Sequence, residues 1–312
     1  MKVVLILILA LGMCRGYAQT TVLKFTDYTM AQPLINPAAM GQESGANGLL
    51  LYRSRFEKSE FWPSTGAFNI NSLIPNKNLG GGISLIFDKY GPYQKLFAYL
   101  AGTYRLKVNE GKWLYFGLQA GVNYVTNSND YIIHDEETIF TENYSQPNFG
   151  FGLHFKADNY FIGASIPEFR YNTVDENGER VSETVSEMMK IYVYGGFNFK
   201  IGKTTELMPY TYITYCEYED MIMDLGAKLT FRDAFQFGVQ YRTRESFAAS
   251  VRVKLFQDLW LGYSFEGNNS RVDNKFNSTQ EIGITFHFGK KGQKSSSTEE
   301  KFDDTINSIR YF

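Results

Sequence analysis

Three histidines, His134, His154 and His287, are the side chains of this chain best suited to proton transfer or metal ligation. His134 stands beside Asp135, Glu136 and Glu137, a run whose oxygens could hold a hard divalent cation. The same run is what a solvated acidic loop looks like, and that is the reading taken here. His154 and His287 are far apart in sequence, each on the polar face of an alternating segment. A hydrolase would need a serine and an acid beside one of them, and no Ser-His-acid arrangement marks either. Gly80-Gly81-Gly82 runs into Ile83-Ser84 without the Lys and helix of a phosphate loop. Cys216 sits in an alternating strand and reads as a passive residue. The expectation is therefore a protein that is not an enzyme, with no catalytic residue, no metal site and no cofactor.

Composition narrows the class. The 312 residues carry a formal net charge of −2, which gives no reason to expect a nucleic-acid partner. With 22 Tyr, 26 Phe and 21% charged residues, the chain suits a β-protein rich in aromatic surface rather than disorder. Its start has the order of an export signal: Lys2, an apolar run Val3–Leu11, and small residues up to Ala18, with cleavage expected between Ala18 and Gln19. The run is too short for a helical span, which needs about 20 apolar residues. Leu11-Gly12-Met13-Cys14 partly matches a lipoprotein box, but Met13 fits poorly before the cysteine. Cleavage after Ala18 leaves Cys216 alone, so no intrachain disulfide is expected.

The elements that must position these side chains are strands. From about residue 48 the chain alternates with period two. Leu114, Phe116, Leu118, Ala120 and Val122 share one face, with Tyr115, Gly117, Gln119, Gly121 and Asn123 on the other. Phe149, Phe151 and Leu153 alternate with Gly150, Gly152 and His154; Ile282, Ile284, Phe286 and Phe288 alternate with Glu281, Gly283, Thr285 and His287. One face is apolar for the length a tilted membrane strand requires, and the other carries glycines with Gln, Arg, Lys, Glu and His, which a wet lumen accepts and a packed core would have to pair. The fold expected is all-β: a transmembrane antiparallel up-and-down barrel of the outer-membrane type with about 14 strands. The domains are a signal peptide (1–18), a periplasmic or plug N-terminal segment (19–47), the barrel (48–289) and a polar periplasmic tail (290–312). The longest connections, Asn127–Gln146, Pro167–Ser186 and Asn268–Ser278, all follow odd strands, whereas Ala157-Asp158 and Arg232-Asp233 make short turns after even ones. That asymmetry puts the long loops outside the cell and both termini in the periplasm. A lumen of this size is too wide for barrel side chains alone, so a plug, a channel or a bound partner is expected.

Family resemblance adds to this reading. The run Phe25 to Gly41, with Tyr28, Met30, Pro33-Leu34 and Asn36-Pro37-Ala38-x-x-Gly41, resembles the opening of the PorP/SprF family, outer-membrane proteins of the Bacteroidota type IX secretion system. Tyr52-Arg53 with Phe56, Gly80-Gly81-Gly82 with Asp88-x-x-Gly91, Pro147–Gly152 with Tyr160–Pro167, Tyr241-Arg242-Thr243 and Leu261–Glu266 are similar to later elements of that family, in family order. Glu281-x-Gly283-x-x-Phe286-x-Phe288 is similar to the bacterial β-signal of a final strand, and the chain departs from the family's usual end in the residues after Gly289. The resemblance implies anchoring or delivery of secreted cargo or adhesin, in some members for gliding motility, and contact with periplasmic, peptidoglycan-linked secretion or motor components, in a barrel surrounded by outer-membrane lipid. Tyr28, Met30, Pro33, Asn36, Pro37 and Gly41 are the candidate partner-binding residues. The alternative is a transporter of hydrophobic small molecules like the FadL barrels, whose N-terminal plug also carries an Asn-Pro-Ala stretch.

Overall fold

The computed structural model describes residues 24–56, 63–133, 136–169, 189–216, 219–243, 246–256, 258–269 and 276–289. Fourteen antiparallel strands follow one another: β1 (Ala46–Phe56), β2 (Ser64–Leu73), β3 (Leu79–Tyr90), β4 (Tyr93–Asn109), β5 (Lys112–Ile133), β6 (Glu136–Lys156) and β7 (Tyr160–Phe169). They continue with β8 (Lys190–Phe197, extended past Asn198 by Phe199–Lys200), β9 (Thr205–Cys216), β10 (Glu219–Phe231), β11 (Phe235–Arg242), β12 (Ser246–Phe256), β13 (Leu259–Asn269) and β14 (Phe276–Phe288). Each pairs with its sequence neighbours, and β14 pairs with β1 from Ala46↔Phe288 to Phe56↔Ser278, so the sheet closes on itself. Closure is what a bilayer demands of a sheet, because an open edge would leave backbone groups without partners in hydrocarbon. No helix among the described residues is long and apolar enough to cross a membrane.

The two faces are as the alternation predicts. Leu50, Leu100, Leu118, Phe237 and Val239 lie exposed on the outside, while Asn69, Tyr99, Gln119 and Gln240 point inward and are buried. On the outer face apolar side chains meet lipid; on the inner face the polar ones meet each other and the segment that precedes β1.

The rims differ in loop length less than expected, because strands run further than the alternation shows and Tyr90 and Tyr93 are joined by a two-residue turn. The connections 74–78, 110–111, 157–159, 201–204 and 232–234 are tight turns. Arg232 and Asp233 both take positive φ (53° and 49°), the two-residue hairpin geometry that matches strand twist. On the opposite rim, Asn127–Gln146 is not a loop: β5 and β6 stay paired to Ile133↔Glu136. Likewise β7 runs on to Phe169, and β13 and β14 stay paired to Asn269↔Phe276. The alternation stops earlier than the pairing because, beyond the bilayer, both faces of a strand meet water, and period two loses its cause. Residues 1–23, 170–188 and 290–312 lie outside the described residues, and with them the export-signal, mid-loop and tail readings.

The barrel predicts that the purified protein needs detergent, is β-rich by circular dichroism, and shifts its gel mobility on boiling. Leu118→Arg, on the lipid-facing band, should lower stability by about 2–4 kcal/mol, measured by denaturant titration in detergent or bilayer; a neutral outcome would put Leu118 away from lipid.

Candidate functional site

Before β1 the chain passes through the lumen. A short helix, α1 (Tyr28–Ile35), is followed by a 3-10 turn, η1 (Pro37–Ala39). Asp27 caps α1: its side chain accepts the Thr29 N–H. Asn36 caps η1 by accepting the Ala38 N–H at 2.8 Å. Polar residues immediately before helical turns act in this way because the first N–H groups have no intrahelical acceptor. The helix holds Pro33 inside it. So short a helix is stable only through what surrounds it. Phe25, Tyr28, Ala31, Leu34 and Ile35 are buried within the barrel.

The segment begins in the half of the lumen nearer the long connections and leaves by the short-turn rim. At its first end, the Phe25 carbonyl accepts from Arg242 Nη2 at 2.7 Å, at the last residue of β11. At its other end the Gly41 N–H donates to Asn71 Oδ1 at 3.0 Å, and Ser44 forms an isolated bridge with Leu73. Gly41 takes φ +63° with its backbone packed against Gly80 and Ser72, a place where a Cβ has no room.

A cluster of charges holds the first end. Glu281 accepts the Thr26 and Asp27 N–H groups, one on each carboxylate oxygen, at 2.8 and 2.9 Å. Arg242 donates to Asp224 at 2.6 Å and to both oxygens of Glu266 at 2.9 and 3.0 Å. Arg53 lies 3.6 Å from Glu266 and 3.9 Å from Glu281. Lys228 reaches both oxygens of Asp27, at 2.8 and 2.5 Å, and also the Thr29 hydroxyl. Burial alone would raise the Asp27 carboxyl; the Lys228 ammonium, with Arg252 and the Thr29 hydroxyl, outweighs it and holds the carboxyl below its ordinary value.

The middle is held by aromatic rings. Tyr28 stacks on Tyr212 (5.2 Å between centroids, 19° between planes), and Tyr212 stacks on Tyr194 (5.0 Å, 19°). The Arg242 guanidinium lies 5.6 Å over the Tyr28 ring, and Gln32 donates to the Tyr212 hydroxyl at 2.6 Å.

The last part is held by the Asn-Pro-Ala stretch. Asn36 Nδ2 donates to the Leu153 carbonyl at 3.0 Å and to the Tyr194 hydroxyl at 2.9 Å, and that hydroxyl also meets His154 Nδ1 at 3.0 Å. Ser165 donates to the Ile35 carbonyl at 2.7 Å and Thr103 to the Pro37 carbonyl at 2.9 Å. Gly117 and Gly152 face this turn: a Cβ on the first would collide with Ala38 N and on the second with Asn36 Oδ1. These inward glycines are the space into which the turn fits. On the side of β12–β14 the plug leaves a cavity of about 310 Å³, lined by Met30, Pro33, Glu43, Asn47, Trp260 and His287.

Tyr28, Met30, Asn36, Pro37 and Gly41 are thus buried against the wall, and Pro33 is half-buried over the cavity. Within this chain, the surface they contact is the barrel itself. His154 serves as a wall group beside Tyr194, and His287 meets Asn47 at 2.7 Å near the short-turn rim. His134 and Asp135 lie outside the described residues. Sequence reasoning missed α1 and the wall groups Arg53, Asp224, Lys228, Tyr194 and Tyr212. Two signals were present: Asp27-Tyr28-Thr29 as a helix start, and the inward-phase pairs Tyr192-x-Tyr194 and Tyr210-x-Tyr212.

The family model for the type IX secretion system membrane protein PorP/SprF matches residues 18–286, plug and barrel alike. The chain belongs to the PorP/SprF family. This PorP/SprF member is therefore a membrane barrel component of the type IX secretion system. No curated protein matches it. Among solved structures, it is similar in fold to the ΔS2S3 mutant of the monoaromatic hydrocarbon channel TodX (TM-score 0.56, 9% identity, 81% of this chain and 93% of that one). It is also similar to the monoaromatic hydrocarbon channel CymD (0.53, 11%, 82% and 92%) and the Ralstonia pickettii toluene transporter TbuX (0.52, 9%, 84% and 93%). At such identities the likeness is one of fold.

Asp27→Ala leaves Lys228 buried and unpaired, a loss on the order of 3–5 kcal/mol. It should speed amide exchange at Thr26–Ala31, and adding Lys228→Met should restore much of the protection. Because the Asp27 carboxyl is held low, its contribution is complete above the ordinary carboxylate range and is lost as pH falls through the lowered value. Exchange in these amides should therefore rise only in strong acid; a rise near neutrality would contradict the pairing. Gly152→Val should displace the Asn36 turn and expose residues 36–40 to exchange while heat-modifiability persists; unchanged protection there would refute the close fit.

Proposed function

We propose that this PorP/SprF protein works as a closed outer-membrane anchor of the type IX secretion system. In this reading it holds or hands on secreted or adhesin cargo at its long-connection rim. Its short-turn rim, with the tail 290–312, meets peptidoglycan-linked secretion or motor components. The long connections face outside the cell and the short turns the periplasm, the usual sense of single-chain outer-membrane barrels. No covalent step is assigned to any residue, and gliding would follow where the cargo is a motility adhesin.

The observation that carries the reading is the seated plug. A lumen crossed from Phe25 to Gly41 by the chain's own backbone, bonded to the wall at both ends, is suited to presenting its rims rather than to passing a polypeptide. A transporter of hydrophobic molecules is the competing reading, since the solved barrels of similar fold include hydrocarbon channels. Against it stands the wall beside the plug's first end, where Arg53, Asp224, Lys228, Arg242, Glu266 and Glu281 would meet any apolar solute in transit.

Deleting the gene and measuring both exported surface proteins and uptake of hydrophobic solutes separates the two. The anchor reading expects loss of exported proteins from the surface with normal uptake. Normal export with impaired uptake would replace it with the transporter.

A further inference from the structure

We infer that the β3–β6 arc of the short-turn mouth is a docking surface for an acidic polypeptide, centred on Trp113. The register sets the arrangement. Lys107 of β4, Trp113 of β5 and Lys156 of β6 stand directly opposite one another, in one row across the three strands. With strands about 4.8 Å apart, the two lysines flank the indole at roughly 10 Å from each other. Two residues deeper on β4, Arg105 lays its guanidinium over the Trp113 ring, 4.6 Å from the centroid, and its Nε donates to Asn78 Oδ1 at 3.3 Å. Lys77, in the turn beside Asn78, extends the patch along the rim, and Lys112, next to Trp113, carries it to the outer edge.

Among the described residues nothing neutralises this arc. Lys77, Lys107 and Lys112 are exposed and pair with no acid, and the half-buried Trp113 has no acceptor for its indole N–H. Of the lysines, Lys156 alone is engaged, by Gln42 and Glu43 at 3.1 and 3.8 Å, where the plug leaves the barrel. Glu110 and Asp158, the acids of the adjoining turns, form no ion pair with the patch. Elsewhere the mouth balances itself: Lys254 holds Asp233 at 2.9 Å, and Glu206 stands opposite Lys200. Like charges gathered without partners repel one another, so the uncompensated arc fits a partner that brings the carboxylates. Side-chain phase argues against lipid headgroups as that partner. Leu106 and Val108 are exposed on the outer face, so Arg105 and Lys107, which alternate with them, turn to the mouth rather than to the bilayer. Trp and Arg are the residue types that most often anchor protein partners, and here the two are already stacked. The inference rests on the reading above only for the compartment: there the mouth opens to the periplasm, and the acidic segment belongs to the secretion machinery.

The probe is a synthetic peptide of alternating Glu and Ser, with a Lys-for-Glu version as control. Full-length protein in phosphatidylcholine nanodiscs carries Trp62→Phe and Trp260→Phe, so that Trp113 is the fluorophore read. The Glu peptide should change Trp113 emission, with an affinity that falls on the order of tenfold from low to high salt; the Lys peptide should leave the emission unchanged. Lys77→Glu, Lys107→Glu and Lys112→Glu together should weaken binding by about tenfold or more while the barrel stays heat-modifiable. Lys200→Glu with Lys203→Glu, on the neighbouring arc, should not. Equal loss in that second variant would overturn the proposal, as would equal binding of the Lys peptide or the absence of binding. Binding of soluble muropeptides but not of the Glu peptide would assign the arc to the cell wall, and loss of peptide binding in phosphatidylglycerol nanodiscs would assign it to lipid; either result overturns the proposal. Export that survives gene deletion, with the arc still taking the peptide, would sink the secretion reading alone; export that needs the protein, with an arc that takes nothing, would sink this inference alone.

Discussion

Fourteen strands close a cylinder wider than side chains can fill, and that single constraint organises the molecule. The wall must turn polar groups inward, because the outward face is committed to lipid. Those groups need partners, and they could not all find them across an empty bore, by the rule that buried polar groups are bonded. The chain resolves this by threading its own residues 24–41 through the lumen. The fit is reciprocal. An irregular buried segment has main-chain groups that neither helix nor sheet satisfies, and the wall supplies what they lack: Arg242 and Glu281 at Phe25–Asp27, Ser165 at Ile35, Thr103 at Pro37, Asn71 at Gly41.

The plug is held by three kinds of interaction arranged in sequence along it. Ion pairs dominate at Asp27, ring stacking at Tyr28, and shape with hydrogen bonds at Asn36. The ion pairs are strong only as a set. Breaking one partner of a buried pair leaves the other without compensation, whereas removing both costs much less. The glycines opposite Asn36-Pro37-Ala38 act through absence, since the turn occupies the volume their side chains would have taken. A lumen occupied in this way leaves the rims as the surfaces that face other molecules, which is where the functional reading places cargo and machinery.

Much of this was legible in the sequence. Leu114–Asn123 and Glu281–Phe288 show their two faces directly, because a bilayer imposes period two wherever a strand crosses it. Arg232-Asp233 showed as a tight turn, and Asn36-Pro37 showed that the opening segment was special. What did not show depends on contacts remote in sequence. Lys228 and Asp27 are 201 positions apart, and Arg242 and the Phe25 carbonyl 217; no local pattern records such pairs. The length of β5 and β6 was hidden for the opposite reason: outside the bilayer there is no environment to write an alternation into the sequence, although the backbone goes on pairing. The short helix was obscured by Pro33, which reads as a breaker until the surrounding wall is known.

The central claim is a barrel sealed by its own N-terminal segment, and planar-bilayer conductance tests it most directly. The unmodified protein should insert without opening stable ion-conducting steps, and a variant lacking residues 24–41 should conduct. Steady porin-like conductance from the unmodified protein would contradict the account.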